Sequence, residues 1–391
     1  MTAGSSKSSQ PQRARRSTGL DGLRGLAALS VLVFHVWLYR DNRPKGGHRT
    51  ALFDQVMFAL HLGLICFFVL SGYLLYRAFS RAALQPSGRV GTRDYARRRL
   101  VRIVPAYYVS IVGCIAMYAI VGYNKGIPSL NELPLFFLFA QTYSKSTQWV
   151  LNPVTWTLCV EMAFYILLPL LGWLAIRFGR GHAGRQVLML VSLIAITITW
   201  NGMVHWETWG LSAPRRWLPS FLGHFALGML AALWVTLRRE RKAPPLGSVV
   251  SVLLLLVGAA LVVINAAWQE DPTTLPDLRM LLTDLPAAAG FALIIAAVVC
   301  GSGRATRAVG VKPLAELGVI SYGVYLWHLP LILALRQLGL LPEYFPPRLL
   351  IVLGVSIIAG LISWRVFERP VINWEARRES FTPDRPLKRT L

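Results

Sequence analysis

The side chains with the greatest capacity for chemistry are ionisable groups set inside long apolar runs: Asp21, Arg24, His35, His61, Glu161, His224, His328 and Glu368. Each is costly in hydrocarbon unless it is paired or faces water, so such residues mark functional positions in a membrane protein. Imidazole is the side chain best suited to take a proton near neutral pH. A carboxylate such as Glu161, if placed beside His35, would hold that ring in one tautomer and make it more basic. Arg24 and His35 are 11 residues apart. On a helix that is about 1100° of rotation and about 16 Å of rise, so both face the same way at different depths. A lone histidine is most simply a satisfied interhelical hydrogen bond. Together, His35, His61, Glu161, His224 and His328 suggest a polar cavity open to water, with Arg24 and His35 lining a route through it. No GxSxG elbow, P-loop, HExxH or CxxC occurs, and the scattered histidines give no metal-ligand spacing. A covalent Ser or Cys nucleophile has no specific signal.

Membrane helices are the elements that must hold these groups. Of 391 residues, 54% are hydrophobic and 15% charged, and mean hydropathy is +0.49. A soluble domain carries about 25% charged residues. The 41 Lys and Arg against 18 Asp and Glu give a net charge of +23. The apolar content excludes nucleic-acid binding as the main role, and what matters is where the charge lies relative to the apolar runs. A bilayer core about 30 Å thick takes about 20 helical residues. That window predicts ten spans, roughly 19–39, 54–76, 103–122, 155–177, 185–201, 216–237, 247–267, 280–300, 314–337 and 348–368. The fold class is thus an all-α polytopic membrane protein of about ten transmembrane helices. The spans at 185–201 and 280–300 are the weakest, the latter carrying Asp284 and Pro286. Leu133 to Ala140 is too short to span and reads as re-entrant or interfacial.

Lys and Arg concentrate in the N-terminal tail, the loops after spans 2, 4, 6 and 8, and the C-terminal tail. The positive-inside rule then places both termini in the cytoplasm of a multi-pass cell-membrane protein. The first loop, with Arg40, Arg43, Lys45 and Arg49, runs against that trend. Residues 1–18 read as a disordered basic tail without a signal peptide, 19–372 as one membrane domain, and 373–391 as a second basic tail. Cys66, Cys114, Cys159 and Cys300 lie in apolar stretches and read as small hydrophobes. The same orientation sorts the polar residues by depth. Asp21, Arg24, Ser71, Tyr73, Arg97, Arg98, Arg99, Arg102 and Glu368 fall toward the cytoplasm. His35, His61, Glu161 and His224 fall in the outer half, with His328 deeper. For Arg97 and Arg98 simple anchoring suffices, whereas Arg24, well inside a helix beside Gly25, needs a partner or an anionic ligand.

Six segments in order resemble the membrane-bound acyltransferase family 3. They are LDGLRGLAALSVLVFH (Leu20 to His35, an Arg-x10-His pattern), FFVLSGYLL (Phe67 to Leu75), YARRRLVRIVPAYY (Tyr95 to Tyr108), TWTLCVEMAFYILLPLL (Thr155 to Leu171), LGVISYGVYLWHLPLI (Leu317 to Ile332) and FERP (Phe367 to Pro370). The resemblance covers about 19 to 372. It implies ten transmembrane helices and an acyltransferase, of the kind that moves groups other than aminoacyl groups. It also implies transfer of an acyl group, commonly acetyl, from acyl-CoA to a carbohydrate hydroxyl on a polysaccharide, glycolipid or glycosylated small molecule such as a macrolide sugar. The resemblance gives His35 and Arg24 the central roles and puts Arg99 and Arg102 near the acyl donor, with Ser71 and Tyr73 beside it. Glu161 would orient or charge the site. Asp21, His61, Trp156, Tyr322, His328 and Glu368 are further candidates. Some relatives carry a C-terminal SGNH esterase-like domain, and this chain resembles the stand-alone form. Acyl-CoA is then a co-substrate and no cofactor is expected. The partners are acyl-CoA, the glycan-containing acceptor and the bilayer, with no nucleic acid.

Two other classes compete. Buried His, Glu and Arg also suit a proton-coupled transporter or glycolipid flippase, although no repeat relates the two halves. A structural subunit of an envelope-assembly complex would need no intramembrane charge. Several features have plain packing explanations. The tryptophans near span ends form an aromatic belt. Gly72 and Gly323 permit close helix packing. Tyr322 and Tyr325 pack beside His328, and Glu368 with Arg369 forms an interfacial ion pair.

Overall fold

The computed structural model describes residues 18–40, 52–85, 88–179, 181–206, 213–270 and 275–380. The N-terminal tail, Arg43, Lys45 and Arg49 of the first loop, and residues 381–391 lie outside these. Among the described residues all regular elements are helical. Nine are long and apolar enough to cross a membrane: α1 (Thr18–Leu38), α2 (Leu52–Leu84), α3 (Asp94–Ile120), α4 (Pro153–Gly179), α5 (Ala183–Trp206), α6 (Leu218–Glu240), α7 (Ser248–Gln269), α9 (Lys312–Gln337) and α10 (Phe345–Glu375). Between α7 and α9 lies a bent pair, α8, of Pro276–Leu282 and Leu285–Cys300 meeting at 46°, which makes a tenth when counted as one span. In hydrocarbon a helix satisfies its own backbone, which is why every apolar run takes this form.

Nine of the ten expected spans match these helices, and the bent pair occupies the place of the tenth. The weak one at 280–300 is the broken one. There Asn201 donates to the Leu281 carbonyl at 3.1 Å and the Thr283 hydroxyl at 2.7 Å, and Gln269 donates to the Thr283 carbonyl at 2.7 Å. These side chains occupy polar groups at the break. The stretch at 133–140 is a five-residue helix, Leu133–Phe137, followed by a turn. Helix extends through Ser380, into the region expected to be a tail. All four cysteines are free, three of them buried and Cys300 half-buried.

Close helix contact depends on glycine. A Cβ on Gly25 would collide with the Leu314 carbonyl, and one on Gly318 with the Asp21 carbonyl, so α1 and α9 touch backbone to backbone. Gly72 of α2 and Gly228 of α6 form the same kind of reciprocal contact, and Gly323 of α9 meets Gly360 of α10. Small residues permit such approach in membranes, where dispersion rather than water exclusion holds helices together. The packing role expected of Gly72 and Gly323 is the one they have. Of all the helix pairs, α1–α9 and α2–α6 pack most extensively, and the first of these carries the candidate site.

Candidate functional site

Helix α3 begins well before the apolar window, so Arg99 and Arg102 lie within its first turns. Their i,i+3 spacing puts them on one face. That face, with α1, α2, α4 and α9, encloses a cavity of about 100 Å³. Its polar lining is Arg24, Ser71, Arg99, Arg102, Thr157, Glu161, Tyr165, Ser321, Tyr322 and Tyr325, and its apolar lining includes Leu64, Phe67 and Ile103. Arg24 donates to Asp21 at 3.2 Å across one helical turn, and Asp21 is buried. Among the described residues, Arg99 and Arg102 have no hydrogen-bond or ion-pair partner. Glu161 is engaged on both oxygens instead: Ser71 donates to one carboxylate oxygen and Tyr165 to the other, both at 3.0 Å. Tyr322 donates to the Ile103 carbonyl at 2.9 Å, tying α9 to α3. Glu368 is buried in a π-helical turn, Trp364–Glu368, and accepts from Ser363 at 3.1 Å.

The other end of α1 is built differently. His35 Nδ1 lies 2.9 Å from the Val31 carbonyl and 3.1 Å from His328 Nε2. His328 Nδ1 in turn lies 2.8 Å from the Tyr325 carbonyl and 3.2 Å from that of Val324. His35 is half-buried, and His328 behind it is buried. Pro330, two residues on, lacks an N–H and leaves the Leu326 carbonyl free. Asn152 donates to that carbonyl at 2.8 Å, pinning α9 beside the histidines. Between this pair and the cavity stands Tyr325. Its ring lines the cavity and lies 5.6 Å, centroid to centroid, from that of His328. Its hydroxyl donates to the Val154 carbonyl at 2.9 Å and sits 2.8 Å from that of Thr157.

The expected common face of Arg24 and His35 is present, since both turn toward α9. Arg24 lines this cavity, whereas His35 lies beyond its lining, on the far side of Tyr325. Glu161 lies with the arginines, and the partner of His35 is His328. Of the five outer-half residues, four lie outside the lining of this cavity. Glu161 alone of them lines it. His61 Nδ1 lies 2.6 Å from the Phe58 carbonyl. His224 is buried against Phe221, its ring nitrogens without partners among the described residues. Tyr73 is buried under the Arg77 guanidinium, 5.6 Å from its ring centre, outside the cavity lining. Trp156 packs on Phe221 and Phe68, also outside it. Glu368 turns inward and Arg369 is exposed, so the Glu368–Arg369 ion pair does not form. Arg97 pairs with Glu375 at 2.7 Å, a tie between α3 and α10 in place of simple anchoring. Sequence reasoning missed Tyr165, Thr157 and Ser321. Tyr165 was findable, because i+4 from Glu161 puts the two side chains side by side.

With a cationic cavity and a histidine pair at opposite ends of one helix, comparison with known families becomes informative. A profile described as an acyltransferase domain matches residues 17–365. The chain belongs to the acyltransferase 3 family. Its many long apolar helices make it a multi-pass membrane protein of that family. Relatives include O-acetyltransferase OatA of Staphylococcus aureus, 23% identical over 387 residues, covering 93% of this chain and 58% of that protein. YrhL of Bacillus subtilis, a candidate peptidoglycan O-acetyltransferase, is 25% identical over 378 residues, 92% of this chain and 55% of its own. BcsY of Komagataeibacter xylinus, a candidate membrane-bound transacylase, is 26% identical over 379 residues, 94% and 85% respectively. The chain thus spans little more than half the length of OatA and YrhL. No solved structure matches.

Proposed function

We propose that this acyltransferase moves a short acyl group, acetyl in the simplest case, from acyl-CoA to a hydroxyl of a carbohydrate-containing acceptor. The observation that carries this reading is the pair of guanidinia, Arg99 and Arg102, which among the described residues make no hydrogen bond or ion pair, in a cavity that also holds Arg24. Guanidinium binds phosphate bidentately, and CoA is a phosphate-bearing anion. Both termini are taken as cytoplasmic from the distribution of Lys and Arg, which puts this end of the cavity on the side where CoA resides. The relatives' names point the same way: OatA is an O-acetyltransferase, and YrhL is linked to a glycan, peptidoglycan.

In this reading Arg99 and Arg102 hold the CoA phosphates and Arg24, braced by Asp21, orients the donor. Glu161 tempers the positive charge of the cavity with its oxygens already engaged. The pantetheine arm spans the distance from the arginines toward Tyr325 and the histidines. His35 acts on the acceptor hydroxyl as general base, or carries the acyl group transiently. Either role uses a ring lone pair. Acceptors compatible with this chemistry are a cell-envelope glycan, a glycolipid or a glycosylated natural product.

Purified protein incubated with radiolabelled acetyl-CoA and candidate glycans tests the reading. The expected result is label on the glycan with stoichiometric release of CoA. Movement of a glycolipid or proton without CoA consumption would overturn it in favour of transport. Mass spectrometry of glycans, lipids and secreted metabolites from a deletion strain identifies the acceptor.

A further inference from the structure

The hydrogen bonds of the two histidines determine where their protons sit. A carbonyl oxygen can only accept, so a ring nitrogen facing one carries hydrogen. His328 Nδ1 faces two carbonyls, Tyr325 and Val324, and is therefore N–H. In the neutral ring His328 Nε2 is then a lone pair. His35 Nδ1 faces the Val31 carbonyl and is likewise N–H, shared between that oxygen and His328 Nε2. The reverse arrangement, with His328 Nε2 donating, would put a lone pair of His35 Nδ1 against the Val31 oxygen at 2.9 Å. It would also leave a neutral His328 with a lone pair against two more carbonyls. One tautomer of each ring thus satisfies every contact, and it leaves His35 Nε2 as the open lone pair of the pair.

We propose that His328 is a positioning residue for His35: it accepts the Nδ1 proton, locks the ring, and presents Nε2 as the atom that works on the acceptor. The inference rests on the acyl-transfer reading above. The step balances as follows. His35 Nε2 takes the proton from the acceptor hydroxyl as the oxygen attacks the thioester carbon. The C–O bond forms, the C–S bond breaks with its electron pair going to sulfur, and the proton on Nε2 passes to the thiolate to give free CoA. Throughout, Nδ1–H stays bonded to His328 Nε2, which stabilises the imidazolium formed in between. The role differs from that of a carboxylate orienter because His328 is buried and uncharged in this tautomer, so it orients without adding charge to the membrane interior.

The arrangement is tested in the full-length protein with His328→Phe and His328→Gln, reading kcat and KM separately. Phe removes the acceptor at similar bulk, and Gln restores an acceptor oxygen. Loss of a buried hydrogen-bond partner should cost roughly 10–100-fold in activity. The expected result is a fall of that size in kcat for His328→Phe, an unchanged KM for acetyl-CoA, and partial recovery in His328→Gln. Nitrogen NMR of histidine-labelled wild-type protein gives a readout independent of turnover and of whether the variants fold. His35 should be protonated on Nδ1 and bare on Nε2. An Nε2–H tautomer for His35, or wild-type kcat in His328→Phe, would overturn the proposal. A His35→Ala variant with full acyl transfer would likewise overturn it by removing His35 from the chemistry, whereas wild-type protein that releases no CoA and labels no glycan would instead remove the acyl-transfer reading.

Discussion

The two ends of α1 solve opposite problems. At the Arg24 end, guanidinia gather around a cavity and two of them, Arg99 and Arg102, are left without protein partners among the described residues. At the His35 end the ring contacts leave one lone pair open. The first arrangement suits receipt of an anion that arrives from outside, since donors already engaged would have to be freed. The second suits moving a proton, since a ring free to switch tautomer would present the wrong nitrogen much of the time. Charge is held in reserve at one end, and orientation is fixed at the other. Tyr325, which lines the cavity and also packs on His328, is the element common to both.

The difference can be broken at either end. The largest effect is expected at the histidine: His35→Ala should lower acyl transfer by about 10²–10⁴-fold, the contribution of a general base, with membrane insertion retained. Turnover of labelled acetyl-CoA measures it, and full activity would erase the distinction between the ends. Next come the arginines. A hydrogen bond to a charged group is worth about 1.5–3 kcal/mol, so Arg99→Ala or Arg102→Ala should each raise the donor KM by about 10–100-fold. Turnover at saturating donor should change far less. An unchanged KM with reduced kcat would move the arginines into the chemical step.

Third, Gly25→Leu should act on both ends at once, because the backbone contact of α1 with α9 sets both. Overpacking of this kind costs about 1–3 kcal/mol, read as a lower Tm in detergent together with reduced kcat and raised KM. The smallest effect belongs to the tie outside the comparison. Glu375→Gln removes the Arg97 ion pair, whose arginine is partly exposed. It should cost about 1 kcal/mol or less and leave transfer intact. A large activity loss there would show that the α3–α10 contact holds the cavity arginines in register.

Much of this was legible before any coordinates. Helix is obligatory for an apolar run of about 20 residues in a bilayer, so the nine long helices follow from hydropathy alone, and the weak run at 280–300 is where the bent pair lies. Helical periodicity put Arg24 and His35 on one stripe, because spacing within a helix is a local property. The glycine contacts at Gly72 and Gly323 were readable for the same reason that small residues recur wherever membrane helices touch.

Pairing across helices was not legible. Depth along a helix suggested Glu161 as the partner of His35, but depth says nothing of rotation about the axis or of which helix lies alongside. Packing brings His328, 293 residues away in sequence, against His35, and seats Glu161 among Ser71, Tyr165 and the arginines. The same packing removed His61, His224, Tyr73 and Trp156 from the cavity and turned Glu368 inward. Composition and spacing thus establish which helices exist and which side chains share a face. Contact between faces is set by how closely the backbones approach, and here Gly25 and Gly318 bring α1 and α9 close enough for an imidazole of one to meet an imidazole of the other.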